Sequence, residues 1–199
     1  LQAKTFERLC LGQLHETVGP GPEDDPMRHY LQVLADKTGA LISTAARMGV
    51  LFSGAPREYA DCVTAYGEKI GVAFQLIDDV IDLSPKAEQT GKRAGTDLRA
   101  GVVTMPLLLL RDRAARGDAE AAGFLARIDD GVARIAAGED ATILDPEVAE
   151  LREHEVTRIT EQTARQWSAD AVTALAPLPK SAVKRGLERL AKSIVTREG

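Results

Sequence analysis

The chain has 199 residues, 44% hydrophobic and 28% charged, enough to bury a sizeable core within one globular domain. Its net charge of −5 leaves no basic footprint for nucleic acid. The longest apolar run, Met105 to Leu110, is far too short to span a bilayer, and Cys10 and Cys62 have neither disulfide nor metal-ligand spacing.

Aromatic residues are only 4% of the chain and no long Val/Ile/Thr alternation appears, whereas Ala, Leu, Glu and Arg abound. Helix is therefore expected throughout, with no sheet. No signal peptide is visible, which favours the cytoplasm, and because the chain begins at Leu1 without Met its natural start is expected to lie upstream.

The first helix is predicted from about Gln2 to Thr17, with Phe6, Leu9 and Cys10 on one stripe. Gln13 and Glu16 extend that stripe, three residues apart, as a helix reaching solvent or as part of a site. A Gly/Pro-rich turn covers Val18 to Asp25, and Asp25-Pro26 reads as an N-cap followed by Pro at the first helical position. The next helix carries Tyr30, Leu34, Leu41 and Met48 on a single stripe. Lys37 sits in the middle of it, so its ammonium must either snorkel to an edge or meet an anion.

After a break at Ser53-Gly54-Ala55-Pro56, a helix is predicted from about Arg57 to Leu83, and its last fourteen residues hold the most informative pattern in the chain. At about 100° per residue, Asp78, Gly71, Asp82, Gln75 and Asp79 fall within an arc of about 100°, and apolar residues fill the rest. A helix apolar almost all round belongs inside a protein. Three carboxylates and an amide on its remaining face are either a solvated acidic face or ligands for a cation. Continuous apolar flanks favour the cation, and an oxygen-only donor set suits a hard one such as Mg²⁺.

From Ser84 to Gly101 the sequence is Gly-rich and charged, long enough to be a lid or disorder. Beyond it, Pro106 opens a helix, Asp118 caps another, Asp145-Pro146 opens a long one, and Pro177-Leu178-Pro179 precedes a last amphipathic helix to about Thr196. Trp167, with Ile159 and Leu175, reads as packing.

Four stretches carry a family resemblance. Phe74-Gln75-Leu76-Ile77-Asp78-Asp79-Val80-Ile81-Asp82 is similar to the second aspartate-rich motif of the trans-isoprenyl diphosphate synthases. The segment from Tyr30 to Leu41 resembles their Lys-Thr helix, and Gly12-Gln13-Leu14-His15-Glu16 resembles their Gly-Gln motif, with Glu where short-chain members usually have Asp. Gly91-Lys92-Arg93-Ala94-Gly95-Thr96-Asp97-Leu98, followed by Gly101 to Leu108, resembles their basic loop and the helix start after it. Val103 stands where many members have a second lysine, so that contact is expected to be absent or supplied by Arg93 or Arg99.

The resemblance implies an all-α isoprenoid synthase bundle, with residues 1–199 as a single domain that is the C-terminal portion of the fold and lacks the helices bearing the first aspartate-rich motif. It implies a Mg²⁺-dependent prenyltransferase that condenses isopentenyl diphosphate with an allylic diphosphate, acting as a homodimer. Asp78, Asp79 and Asp82 would hold the metal, with Gln13 and Glu16 behind them. Lys37, Thr38, Gln75 and Lys92 would bind diphosphate, and Asp78, Asp79 and Lys37 would be catalytic. By itself the 199-residue chain is expected to be inactive. A noncatalytic partner subunit of a heteromeric synthase and a terpene cyclase of related fold are the alternatives, though the Lys-Thr helix and Gly-Lys loop fit the chain-elongating enzymes better.

Overall fold

The computed structural model describes residues 1–84 and 93–197, and every regular element among them is helical. Tertiary contacts divide the chain into two compact units: Leu1–Ile77 with Thr163–Arg197, and Asp78–Gln162. Helices α4 (Tyr59–Asp82) and α9 (Glu155–Ala174) each contribute to both. No described helix is long and apolar enough to cross a membrane.

The first unit contains α1 (Gln2–Val18), α2 (Pro26–Leu34), a five-residue π helix (Ala35–Gly39), α3 (Ala40–Phe52), α4 up to Ile77, α9 from Thr163, and α10 (Ala182–Val195). Asp25 starts α2 as expected, its carboxylate accepting from the N–H groups of Met27 and Arg28. The core forms where Val63, Tyr66 and Ile70 of α4 meet Ala171 of α9, Leu175 just past its end, and Ala191 and Ile194 of α10. Tyr66 is only 1% exposed, and its hydroxyl donates to the Leu187 carbonyl at 2.8 Å, which satisfies the one polar atom that burial would otherwise strand.

Two sequence expectations change in this unit. The stripe Tyr30, Leu34, Leu41, Met48 assumes an unbroken α period, but the π helix places one extra residue in the turn and shifts the phase beyond it. Leu41 is therefore rotated outward, 49% exposed, while Ala40 and Ser43 turn in. On α1 the predicted stripe also faces out: Phe6 is 66% exposed, and the buried residues are Thr5 and Gly12. Small residues face inward there because α1 lies close against its neighbours: a Cβ on Gly12 would come within 2.9 Å of the Asp36 Cβ.

The second unit contains α5 (Thr96–Arg99), α6 (Met105–Ala115), α7 (Ala119–Ala136), a short 3₁₀ turn (Ala141–Leu144), α8 (Asp145–Glu153) and the first part of α9. Leu98, Leu107, Leu110, Phe124, Ile128, Leu151 and Val156 form its core. Asp118 caps α7 as predicted, accepting from the Ala121 N–H. The single long helix expected after Asp145-Pro146 is instead two helices. His154 is extended (φ −69°, ψ 152°), and its Nδ1 accepts from the Val156 N–H at 3.2 Å, so the ring caps the start of α9.

Candidate active site

In the first unit the site is built on the π helix. A π turn has poorer hydrogen-bond geometry than an α turn and persists only where its surroundings hold it. Here three close approaches do so. A Cβ on Gly71 of α4 would lie 2.6 Å from the Gly39 N, one on Gly39 would lie 2.9 Å from the Glu68 carbonyl, and Gly12 lies against Asp36 and Lys37. The Gly71 placed by helical phase on the polar stripe is thus where α4 and the π helix touch backbone to backbone.

Lys37 and Thr38 are the central residues of that turn and are half-buried. The Lys37 ammonium donates to the Glu16 carboxylate on α1, and the same Glu16 oxygen accepts from Gln13 Nε2 at 3.0 Å. Of the two fates open to a lysine on an apolar stripe, Lys37 meets an anion, and one that the sequence had also singled out. The structure therefore brings together Gln13, Glu16 and Lys37. His15 is exposed beside His29, with ring centroids 6.2 Å apart.

Four residues not anticipated from the sequence form a charged network beneath this turn. Asp36, 8% exposed, accepts from Arg8 Nε at 2.7 Å and from Gln32 Nε2 at 2.9 Å, and Arg8 also donates to Glu68 at 3.2 Å. Burial disfavours the Arg8 cation, but its hydrogen bonds to Asp36 and Glu68 outweigh that and raise its pKa. One sequence signal was available: Arg8 lies four residues before Gly12, on the same face of α1.

The aspartates open the second unit. Asp79 is 9% exposed, and its Oδ2 accepts from the Met105 N–H at 3.2 Å. It thereby satisfies one of the donors left open at the start of α6. Asp82 Oδ2 accepts from the Asp97 N–H at 3.1 Å, and the Asp82 carbonyl accepts from the Gly95 N–H at 2.6 Å. Asp78 is half-buried. One oxygen each of Asp79 and Asp82 is thus committed to backbone, a duty their spacing did not reveal.

The three carboxylates offer only oxygens, the chemistry a hard cation takes, though among the described residues no group of three or more His, Cys, Asp or Glu is placed to hold a metal ion. Such a donor set suits an ion that keeps waters and shares phosphate oxygens, as Mg²⁺ does.

The predicted diphosphate ligand Lys92 lies outside the described residues. Arg99, one of the two candidates to replace the missing lysine, is committed elsewhere. Its guanidinium donates to the carbonyls of Ala94 and Ala141 and to Asp145 Oδ1 at 2.7 Å. Arg93 stands 3.7 Å from Asp140.

Residues 1–135 match the polyprenyl synthetase family. A nonaprenyl diphosphate synthase of Mycobacterium tuberculosis is 34% identical over 197 residues, covering 99% of this chain and 56% of the relative. Geranylgeranyl pyrophosphate synthase from Corynebacterium glutamicum, solved in complex with calcium and isoprenyl diphosphate, superposes with a TM-score of 0.80 at 33% identity. That match covers 99% of this chain and 58% of the other. Polyprenyl synthase from Caulobacter crescentus, in the same kind of complex, gives 0.82 at 27% identity, covering all of this chain and 58% of the other. The all-α fold is that of these synthases, and the chain spans a little over half of their length.

Proposed function

The chain belongs to the polyprenyl synthetase family, and on that premise we propose that the complete protein is a trans-prenyltransferase joining isopentenyl diphosphate to an allylic diphosphate. The observation that carries this reading is the Lys37-Thr38 pair. A point charge and a hydroxyl, both suited to phosphate oxygens, sit in a turn held by backbone contacts with Gly71 and Gly39.

In this reading Lys37 leaves Glu16 to bind the diphosphate of the allylic substrate, and Thr38 adds a hydrogen bond to it. Gln75 and Lys92 act on the same group. Asp78, Asp79 and Asp82 would hold Mg²⁺. Bound Mg²⁺ would neutralise the charge that develops as pyrophosphate departs. The C1–O bond of the allylic substrate breaks, its electron pair leaving with pyrophosphate. The double bond of isopentenyl diphosphate then attacks C1, and loss of a proton completes the longer chain. Apolar helix surfaces exclude water from the cation.

The protein acts as a homodimer in this proposal, and carboxylates beyond those of residues 1–199 complete the metal site, so these residues alone should form no product. The test is incubation of the full-length protein with labelled isopentenyl diphosphate, with and without an allylic primer. Labelled chains appearing only with primer and divalent ion support the proposal. Cyclised hydrocarbon from the allylic diphosphate alone would overturn it, as would robust transfer by residues 1–199 for the two-part site.

A further inference from the structure

We propose that Asp36 is a positioning residue for the diphosphate grip: clamped by Arg8 and Gln32, it sets the register of the π helix and with it where Lys37 and Thr38 stand. This rests on the reading of Lys37 and Thr38 as diphosphate ligands.

The argument begins with cost. The Asp36 carboxylate is costly to desolvate, and its partner Arg8 stays partly solvated, with 37% of its side chain exposed, so the pair adds little to stability. An Asp-Arg pair is therefore a poor way merely to glue helices together. Its geometry supplies what apolar packing does not, which is direction.

Each oxygen of Asp36 has its own donor, Arg8 from α1 and Gln32 from α2, and Arg8 uses a second nitrogen on Glu68 of α4. Two helices thus meet on the side chain that immediately precedes Lys37, and a third, α4, is joined to it through Arg8. Gln32 lies four residues before Asp36, so that bond fixes the last turn of α2 against the start of the π helix. Gly12 and Gly71 close the backbone from α1 and α4. The extra residue of the π turn accumulates at this point, and it separates the α2 phase, in which Leu34 is buried, from the α3 phase, in which Leu41 is exposed. Were the turn to relax to α, Lys37 and Thr38 would rotate relative to Gln13 and Glu16.

Two of the three Arg8 guanidinium nitrogens are held by carboxylates, Nε by Asp36 and Nη1 by Glu68, so Arg8 bears on the turn through Asp36.

The test uses the complete protein and Asp36→Asn, which keeps the shape and one acceptor but removes the charge that holds Arg8. The expected result is a rise of about tenfold or more in KM for the allylic diphosphate, a matching loss of Mg²⁺-dependent inorganic pyrophosphate affinity by calorimetry, and KM for isopentenyl diphosphate within about twofold. Gln32→Met, at an exposed position, should shift pyrophosphate affinity in the same direction by a few-fold with an unchanged melting temperature. Adding Arg8→Gln to Asp36→Asn should restore part of the loss, because a neutral pair can still bridge.

Normal allylic KM and pyrophosphate affinity in Asp36→Asn would overturn the proposal. So would an unfolded Asp36→Asn together with normal pyrophosphate affinity in Gln32→Met, which would make the network purely structural. Wild-type protein that neither binds pyrophosphate nor transfers prenyl groups would overturn the functional reading itself, and this inference with it.

Discussion

Gly71 of α4 passes so close to Gly39 of the π helix that a Cβ on it would stand 2.6 Å from the Gly39 backbone nitrogen. No side-chain rotation relieves an overlap with backbone, so Gly71→Ala must push the two segments apart. Overpacking of this kind costs about 1–3 kcal/mol, and the π helix would move with it. Gly186→Ala on α10 is the control: nothing lies within 4 Å of its Cβ position, so removing a helical glycine there should stabilise by roughly 0.5–1 kcal/mol. Thermal melts of both variants check the opposite signs.

Asp78 and Asp79 are adjacent, yet their substitutions should behave differently. If Asp78 ligates Mg²⁺ as proposed, Asp78→Asn in the complete protein removes one ligand charge and should lower turnover by orders of magnitude with little change in melting temperature. Asp79→Ala removes a helix cap as well as a charge, since its carboxylate holds the Met105 N–H. It should cost about 0.5–2 kcal/mol of stability in addition to activity. Chemical denaturation alongside steady-state kinetics separates the two, and a stable Asp79→Ala protein would remove the cap from this account.

Lys37→Met tests the grip itself. The ion pair with Glu16 is partly solvated, with Lys37 and Glu16 side chains 29% and 40% exposed, and exposed pairs contribute only about 0–1 kcal/mol. The melting temperature should therefore hold while Mg²⁺-dependent pyrophosphate affinity drops by about tenfold or more. A variant that unfolds would make Lys37 a structural residue.

The Tyr66 phenol supplies a pH signature. Burial pushes its pKa up to about 12 from an ordinary value of 10.0, so the folded state prefers the neutral phenol. Below pH 10 both folded and unfolded chains hold the proton and its contribution is fully present. As pH rises from about 10 to 12 only the unfolded chain releases it, and stability on the order of 2–3 kcal/mol is lost. Stability measured across that range in the wild type and Tyr66→Phe should show this alkaline decline flattened in the variant.

Much of this was legible in the sequence because it is local. The helical class, the caps at Asp25 and Asp118, and the buried α4 with its interrupted polar stripe follow from propensity, capping chemistry and period alone. What escaped depends on distant partners. Nothing in Asp-Lys-Thr-Gly announces an extra residue in the turn, because what holds it includes Arg8, twenty-eight residues earlier. Apolar counting misassigned the inner face of α1, where close approach selected Thr5 and Gly12 over Phe6. The capping roles of Asp79 and Asp82 require Met105 and Asp97 to return to them.

That return also sets what a substitution at Asp82 would disturb. Asp82 holds both Gly95, through its carbonyl, and Asp97, through its carboxylate, while Arg99 ties Ala94 to Ala141 and Asp145. Residues 94–97 are thus pinned to the end of α4 and to the turn before α8, so loss of the Asp82 carboxylate would free the Asp97 N–H at the start of α5 while the Gly95 bond to the Asp82 carbonyl remains.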